Sequence, residues 1–265
     1  CSSYIFEDQE LVPNEHALGK LLVNYDPSCD VIIAVGAGTI NDISRFMSHR
    51  LDIPYYIVAT APSMDGYAST VAPLIKDNLK TTFECQMPLA IIADLDIIAN
   101  APSKMIAAGF GDVIGKYTCL ADWALSAIIN EEYYCERVVN LTRQSLERTI
   151  AVREGIARGE SDAIGELMEA LVLAGIAMSY VGNSRPASGS EHHLSHFWEM
   201  RFLFEGKPAI LHGLKVGIGA VVVSDLYERL RLEGLNPPEI AKIAPPNNPD
   251  WTEEIKQAFM GAADG

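Results

Sequence analysis

Positive charge is scarce in this chain: 20 lysines and arginines stand against 35 aspartates and glutamates, a formal net charge of -15 over 265 residues. A deficit of that size argues against the basic footprint of a nucleic-acid binder and against docking on an anionic membrane. A negatively charged small molecule would have to be met locally, by backbone amides and a few chosen cations. Paired cysteines are missing as well. The five cysteines, at positions 1, 29, 85, 119 and 135, are scattered and none forms C-x-x-C, so neither a disulfide framework nor a zinc ribbon is indicated. A reducing, cytoplasmic setting is the expectation. No signal-peptide pattern, internal repeat or low-complexity tract is read. The longest apolar run, around Ala170 to Met178, is too short to span a bilayer and reads as a buried helix.

What is present divides into two textures. The chain opens at Cys1 on Tyr4-Ile5-Phe6, the pattern of a strand already under way. Residues 14–25 keep a helical rhythm, and Val31 to Val35 form a continuous apolar run, as expected of a strand buried on both faces of a parallel sheet. Helical spacing returns over 39–51. Tyr55 to Ala59 and Leu89 to Asp94 read as further strands, with β character between them at 71–75 and 81–83. Alternating strands and helices imply βαβ units and an open α/β layer. Beyond Pro102 only helices are expected, over 103–130, 131–158, 162–182, 190–204 and 212–232, then a Pro- and Asn-rich loop and a last short helix. The expected division is therefore a Rossmann-like nucleotide-binding domain over 1–100 and an all-helical domain over 101–265.

Chemistry concentrates in Ser190-Glu191-His192-His193-Leu194-Ser195-His196, followed by Leu211-His212-Gly213. With Ser190 as N-cap and Glu191 in the first turn, His192 and His196 share one helical face, while His193 points about 100° away. Two such imidazoles suit a metal, or one suits a metal and the other acid-base work. Asp112 lies in Gly109-Phe110-Gly111-Asp112-Val113-Ile114-Gly115-Lys116, where it makes either an i,i+4 salt bridge with Lys116 on a solvated face or the carboxylate of an Asp/His/His set with His192 and His212. Three protein ligands with an open position describe a catalytic site, suited to zinc, nickel or ferrous iron. Gly36-Ala37-Gly38-Thr39 follows a strand and opens a helix, as a phosphate-binding turn or a ligand-free tight turn. Thr60-Ala61-Pro62-Ser63 repeats that arrangement one strand over, and two such strand ends make a crevice for a nucleotide. Asp65 is either a turn former or an acceptor for substrate hydroxyls. Arg185, Arg201 and Lys215 are weaker candidates for a phosphate.

The blocks GAGTIND (36–42), TAPSMDGYAS (60–69), GFGDVIGKYT (109–118), SGSEHHLSH (188–196) and LHG (211–213) resemble the sn-glycerol-1-phosphate dehydrogenases, particularly the bacterial AraM type, within the superfamily of iron-containing alcohol dehydrogenases and dehydroquinate synthase-like enzymes. The resemblance implies a Rossmann-like half and a helical half with the site in the cleft between them. It places NADH or NADPH on Gly36, Gly38, Thr39, Ile40, Asn41, Asp42, Thr60, Ala61, Pro62, Ser63 and Ser69. Asp65 and His196 would touch the substrate, and Asp112, near it too, would hold one divalent metal with His192 and His212. It further implies reduction of dihydroxyacetone phosphate to sn-glycerol 1-phosphate by a homodimer, nickel-dependent in bacterial members and zinc-dependent in archaeal ones. Two departures stand out: Ala37 replaces a glycine common in the superfamily, and members carry a further strand-helix unit ahead of this sequence and continue past its last residue. A glycerol or alcohol dehydrogenase, a dehydroquinate synthase-like lyase and a nucleotide-binding module without turnover are the rival expectations.

Overall fold

The computed structural model describes residues 2–8 and 11–233. Three short apolar segments, β1 (Ile32–Gly36), β2 (Tyr55–Ala59) and β5 (Ala90–Ile92), pair in parallel in the order β1-β2-β5. Gly36 pairs with Ala59 and Val58 with Ile92, so the carboxyl ends of the strands finish side by side. Between β1 and β2 runs α2 (Gly38–Leu51), preceded in the chain by α1 (Glu15–Val23), whose N-cap Asn14 accepts the Ala17 N–H at 3.1 Å. Between β2 and β5 the chain makes one 3-10 turn (Gly66–Ala68) and an antiparallel hairpin, β3 (Val71–Lys76) and β4 (Leu79–Glu84). Asp77 and Asn78 both take positive φ, the arrangement that a two-residue hairpin turn requires.

All described elements after β5 are helical: α3 (Leu95–Ile98), α4 (Ser103–Ile114), α5 (Lys116–Asn130), α6 (Glu136–Ala151), α7 (Arg153–Arg158), α8 (Ser161–Val181), α9 (Ser190–Phe204) and α10 (His212–Glu233). Among the described residues α8 alone is long and apolar enough to cross a membrane. Its Ile164, Leu167 and Leu171 are instead sealed in a core with Tyr55 and Ile57 of β2, Ile106 and Val113 of α4 and Leu146 of α6. Each such side chain contributes roughly 1.5–3 kcal/mol by leaving water.

Several expectations need correction. Tyr4 to Phe6 form no strand, since no strand among the described residues supplies a ladder; the Tyr4 and Phe6 rings pack edge to face on each other. β1 is covered on one face only: Ala34 is buried while Ile33 and Val35 remain exposed. The helix read over 103–130 is divided at Gly115, and that over 131–158 begins only at Glu136, after Glu131 adopts a left-handed conformation, and divides again at Val152. The expected loop and last helix beyond 233 lie outside the described residues.

Candidate active site

α4 and α10 run almost backbone to backbone, and that closeness sets the site. A Cβ on Gly213 would stand 1.9 Å from Ala108 O, and one on Gly111 would stand 2.4 Å from Gly213 O, so only hydrogen fits at either position. Asp112 on α4 is thereby brought against His212, the first residue of α10. α9 supplies His192, and Asp112, His192 and His212 offer ligand atoms that all lie within 4.8 Å of one another. The ring centroids of His192 and His212 are 5.1 Å apart; His196 completes a triangle, 6.2 Å from His192 and 5.7 Å from His212. His193 is exposed, as its position on the helix requires.

The start of α9 differs from the sequence expectation. Gly189, not Ser190, occupies the N-cap position. Carboxylates take the first amides instead: Glu191 accepts the Gly189 N–H at 2.7 Å and Asp122 accepts the Ser190 N–H at 2.6 Å. Glu191 is wholly buried, and it also lies 2.8 Å from His192 Nδ1 and accepts the Thr118 hydroxyl.

Asp112 and Lys116 do pair, at 3.2 Å, but on no solvated face: the carboxylate is fully buried and the ammonium nearly so. Lys116 also donates to Asp65 Oδ2 at 2.6 Å and to Ala187 O at 3.0 Å, while the Asp65 peptide N–H donates to Asp112 Oδ2 at 3.0 Å. Burial pushes the Asp112 carboxyl up, yet Lys116 and His192 outweigh it and hold it far below the usual range. Burial, then the Asp112 charge, raises Asp65. For Lys116 burial is more than reversed by the two carboxylates. Lys116 is therefore the clamp that lets two buried acids stand together. Burial pushes His192 down, but Asp112 and Glu191 together carry it above its ordinary value. Burial leaves His212 well below, and desolvation with the Lys80 charge lowers His196 to about 4 although part of its ring stays exposed.

The residues of the expected nucleotide crevice lie together at the strand ends. Thr60 N–H donates to Gly36 O at 3.1 Å, and Gly38 begins α2 with Thr39 and Ile40 in its first turn. Ala61, Pro62 and Ser63 are buried beneath α4, where a Cβ on Gly109 would collide with Pro62 O. Two of the crevice residues turn inward. Asn41 is buried, donating to Gly66 O and accepting from Tyr55, and Ser69 accepts the Val71 N–H. Asp42 pairs with Arg45 at 3.2 Å, and burial pushes its carboxyl up to about 7. Arg45, unremarked in the sequence, is wholly buried and donates to the carbonyls of Gly66, Tyr67 and Val71, which fixes the segment that carries Asp65. Of the three candidate phosphate partners, Arg185 is engaged by Glu132 and Arg201 by Glu205; Lys215 alone lies on the histidine-bearing α10.

The chain is similar to known proteins in both sequence and fold. Residues 7–102 match the family described as iron-containing alcohol dehydrogenase. The chain is 46% identical over 224 residues to a glycerol-1-phosphate dehydrogenase [NAD(P)+] of Geobacillus thermodenitrificans, covering 84% of this chain and 55% of that protein. It is 42% identical over 252 residues to one from Bacillus velezensis, covering 95% and 62%. In fold it is similar to an iron-containing alcohol dehydrogenase of Thermotoga maritima, at a TM-score of 0.66 and 15% identity, over 97% of this chain and 67% of that one. The chain spans between half and two thirds of the length of the curated relatives it matches.

Proposed function

We propose that the chain belongs to the iron-containing alcohol dehydrogenase family and carries the core of a glycerol-1-phosphate dehydrogenase, interconverting dihydroxyacetone phosphate and sn-glycerol 1-phosphate with NAD(H) or NADP(H). The observation that carries this reading is the convergence of Asp112, His192 and His212, from three helices, beside His196 and Asp65. The donor set fits a divalent cation: all three groups are near one another, and His212 Nδ1 is buried without a hydrogen-bond partner among the described residues, a cost that a ligand would remove. Nickel or zinc suits one carboxylate and two imidazoles. A cation held there would supply Lewis-acid polarisation of the substrate's carbonyl oxygen.

The chain's own groups do the rest. Glu191 fixes the His192 ring by its Nδ1, and Lys116 keeps Asp112 ionised. His196, one turn along α9, is neutral near pH 7 and can hold the substrate hydroxyl or, in the oxidation direction, accept its proton. Asp65 presents its free carboxylate oxygen from the same loop that faces the nucleotide crevice. Gly38 and Thr39 open α2 with no side-chain cap at Ala37, so the first amides of the helix are the donors for the nucleotide's phosphates, with Gly36 and Thr60 at the adjoining strand ends. We take 1–100 as the nucleotide-binding domain and 101–265 as the metal- and substrate-binding domain; the absence of described strands beyond Ile92 supports that division. The resemblance also supports a cytoplasmic homodimer acting on a small phosphorylated substrate, and the charge of -15 speaks against nucleic-acid or membrane partners.

An absorbance assay of nicotinamide oxidation tests this directly. Consumption with dihydroxyacetone phosphate and little with dihydroxyacetone is expected. Equal rates on the two ketones would make it a glycerol dehydrogenase, and no net consumption would move it to the lyase class.

A further inference from the structure

Two lysines from distant parts of the chain meet beside the histidines. Lys80 comes from β4 and Lys215 from the first turn of α10, three residues after His212. One oxygen, Glu199 Oε2, lies 2.5 Å from Lys80 Nζ and 3.8 Å from Lys215 Nζ, so a single carboxylate brackets both ammoniums. Glu199 sits on α9 one turn beyond His196, on the same side of the helix. Lys215 is only 4% exposed and otherwise donates to Ile210 O at 2.8 Å. The Lys80 charge reaches the site itself, contributing to the lowering of both His196 and His212. In a chain of net charge -15, two sheltered cations that share one ion-paired carboxylate among the described residues leave a local positive excess next to the place where a carbonyl would react. Desolvating charge that is not fully paired is costly, and a doubly charged oxyanion would relieve it. Neither arginine weighed from the sequence competes for that role, since Arg185 and Arg201 are engaged elsewhere.

We infer that Lys80 and Lys215 form the subsite for the substrate's phosphate monoester, with Glu199 as the counter-ion that holds the pair together and that the phosphate displaces. The inference rests on the function proposed above. The same oxyanion chemistry has a second source, a phosphate of the nucleotide, because Lys80 also acts on Asp42 in the crevice.

The test is titration calorimetry of the full-length protein with sn-glycerol 1-phosphate, glycerol, inorganic phosphate and NADPH, for wild type, Lys80→Met, Lys215→Met and Glu199→Gln. Each lysine variant is expected to bind sn-glycerol 1-phosphate about tenfold or more weakly, as for loss of a charged hydrogen bond, with glycerol and NADPH unchanged. Glu199→Gln is expected to bind sn-glycerol 1-phosphate and inorganic phosphate more tightly, an effect no structural damage would produce. If the weakening falls on NADPH instead, the pair serves the nucleotide and the assignment is overturned. If the wild type reduces dihydroxyacetone phosphate but all three variants bind sn-glycerol 1-phosphate as it does, the subsite is overturned and the function stands. If inorganic phosphate binds with this lysine dependence while dihydroxyacetone phosphate is never turned over, the function falls and the anion subsite stands.

Discussion

Glu191 Oε1 stands 2.8 Å from His192 Nδ1, and that contact decides which imidazole nitrogen faces Asp112. With Nδ1 carrying the hydrogen toward the carboxylate, Nε2 is left 3.6 Å from Asp112 Oδ1, on the side where His212 also lies. A carboxylate behind a ligating histidine fixes its tautomer and raises its basicity.

Glu191→Gln separates those two effects. The amide oxygen can still accept from Gly189 and His192, and its nitrogen can donate to Thr118, whose hydroxyl already has Gly115 O at 3.0 Å to receive its own hydrogen. The fold should survive, while metal affinity should fall by roughly 10–100-fold, read by chelator competition and elemental analysis. Undiminished affinity would mean that orientation alone matters.

Lys116→Met should be far more damaging. It strands Asp65 and Asp112 as neighbouring buried acids, and removing one partner from a buried charge cluster costs about 3–5 kcal/mol. Urea unfolding should show this loss, with part of it recovered in the double variant that also carries Asp65→Asn. An unchanged midpoint for Lys116→Met alone would refute the clamp.

Gly213→Ala tests the contact of α4 and α10. The added Cβ would meet Ala108 O at 1.9 Å and Asp112 Cβ at 3.1 Å, so α10 must withdraw and carry His212 with it. We expect a loss of at least about 1–3 kcal/mol in thermal unfolding, as for overpacking, together with loss of bound metal. Gly19→Ala in α1, where none of the described residues lies within 4 Å of the added Cβ, should instead stabilise by about 0.5–1 kcal/mol.

Metal-free and metal-loaded protein should respond to pH in opposite directions. In the metal-free protein His192 binds its proton more tightly than the ordinary value of 6.5, so its contribution is complete below that value and is lost as pH rises through the elevated one. The melting temperature without metal should therefore fall over that window. Metal binding must expel the same proton, so affinity should rise with pH across it, while His212 is already neutral. Parallel melting curves with and without nickel or zinc check both signs. His212→Ala should bind no metal at any pH and keep its helical circular dichroism.

The α/β texture of the first part and the helices after it were legible because burial imposes periods of two and 3.6 on apolar residues; α2 and α9 begin and end, and α10 begins, within a few residues of where the pattern puts them. Asp112 was ambiguous for a physical reason: an i,i+4 acid and lysine look alike on a wet surface and in a dry interior, and only packing tells them apart. Lys116 was hidden by the same ambiguity. Glu191 read as a first-turn carboxylate, because helix starts favour acids whether or not a histidine lies beside them. Lys80 and Glu199, 119 residues apart, left no local trace, and Arg45 looked like any surface cation of an amphipathic helix. The single covered face of β1 was equally invisible, since an apolar run does not say how many neighbours it has.

Lys80 owes its direction to the turn at Asp77-Asn78. In a ladder where Ile75 opposes Lys80 and Lys76 opposes Leu79, side chains alternate strictly between the two faces. Removing one residue from that tight connection would invert the parity of β4. The ammonium would then swing away from Glu199, to be replaced by the aliphatic Leu79 or the hydroxyl of Thr81, and no atom of the histidine cluster need have been touched.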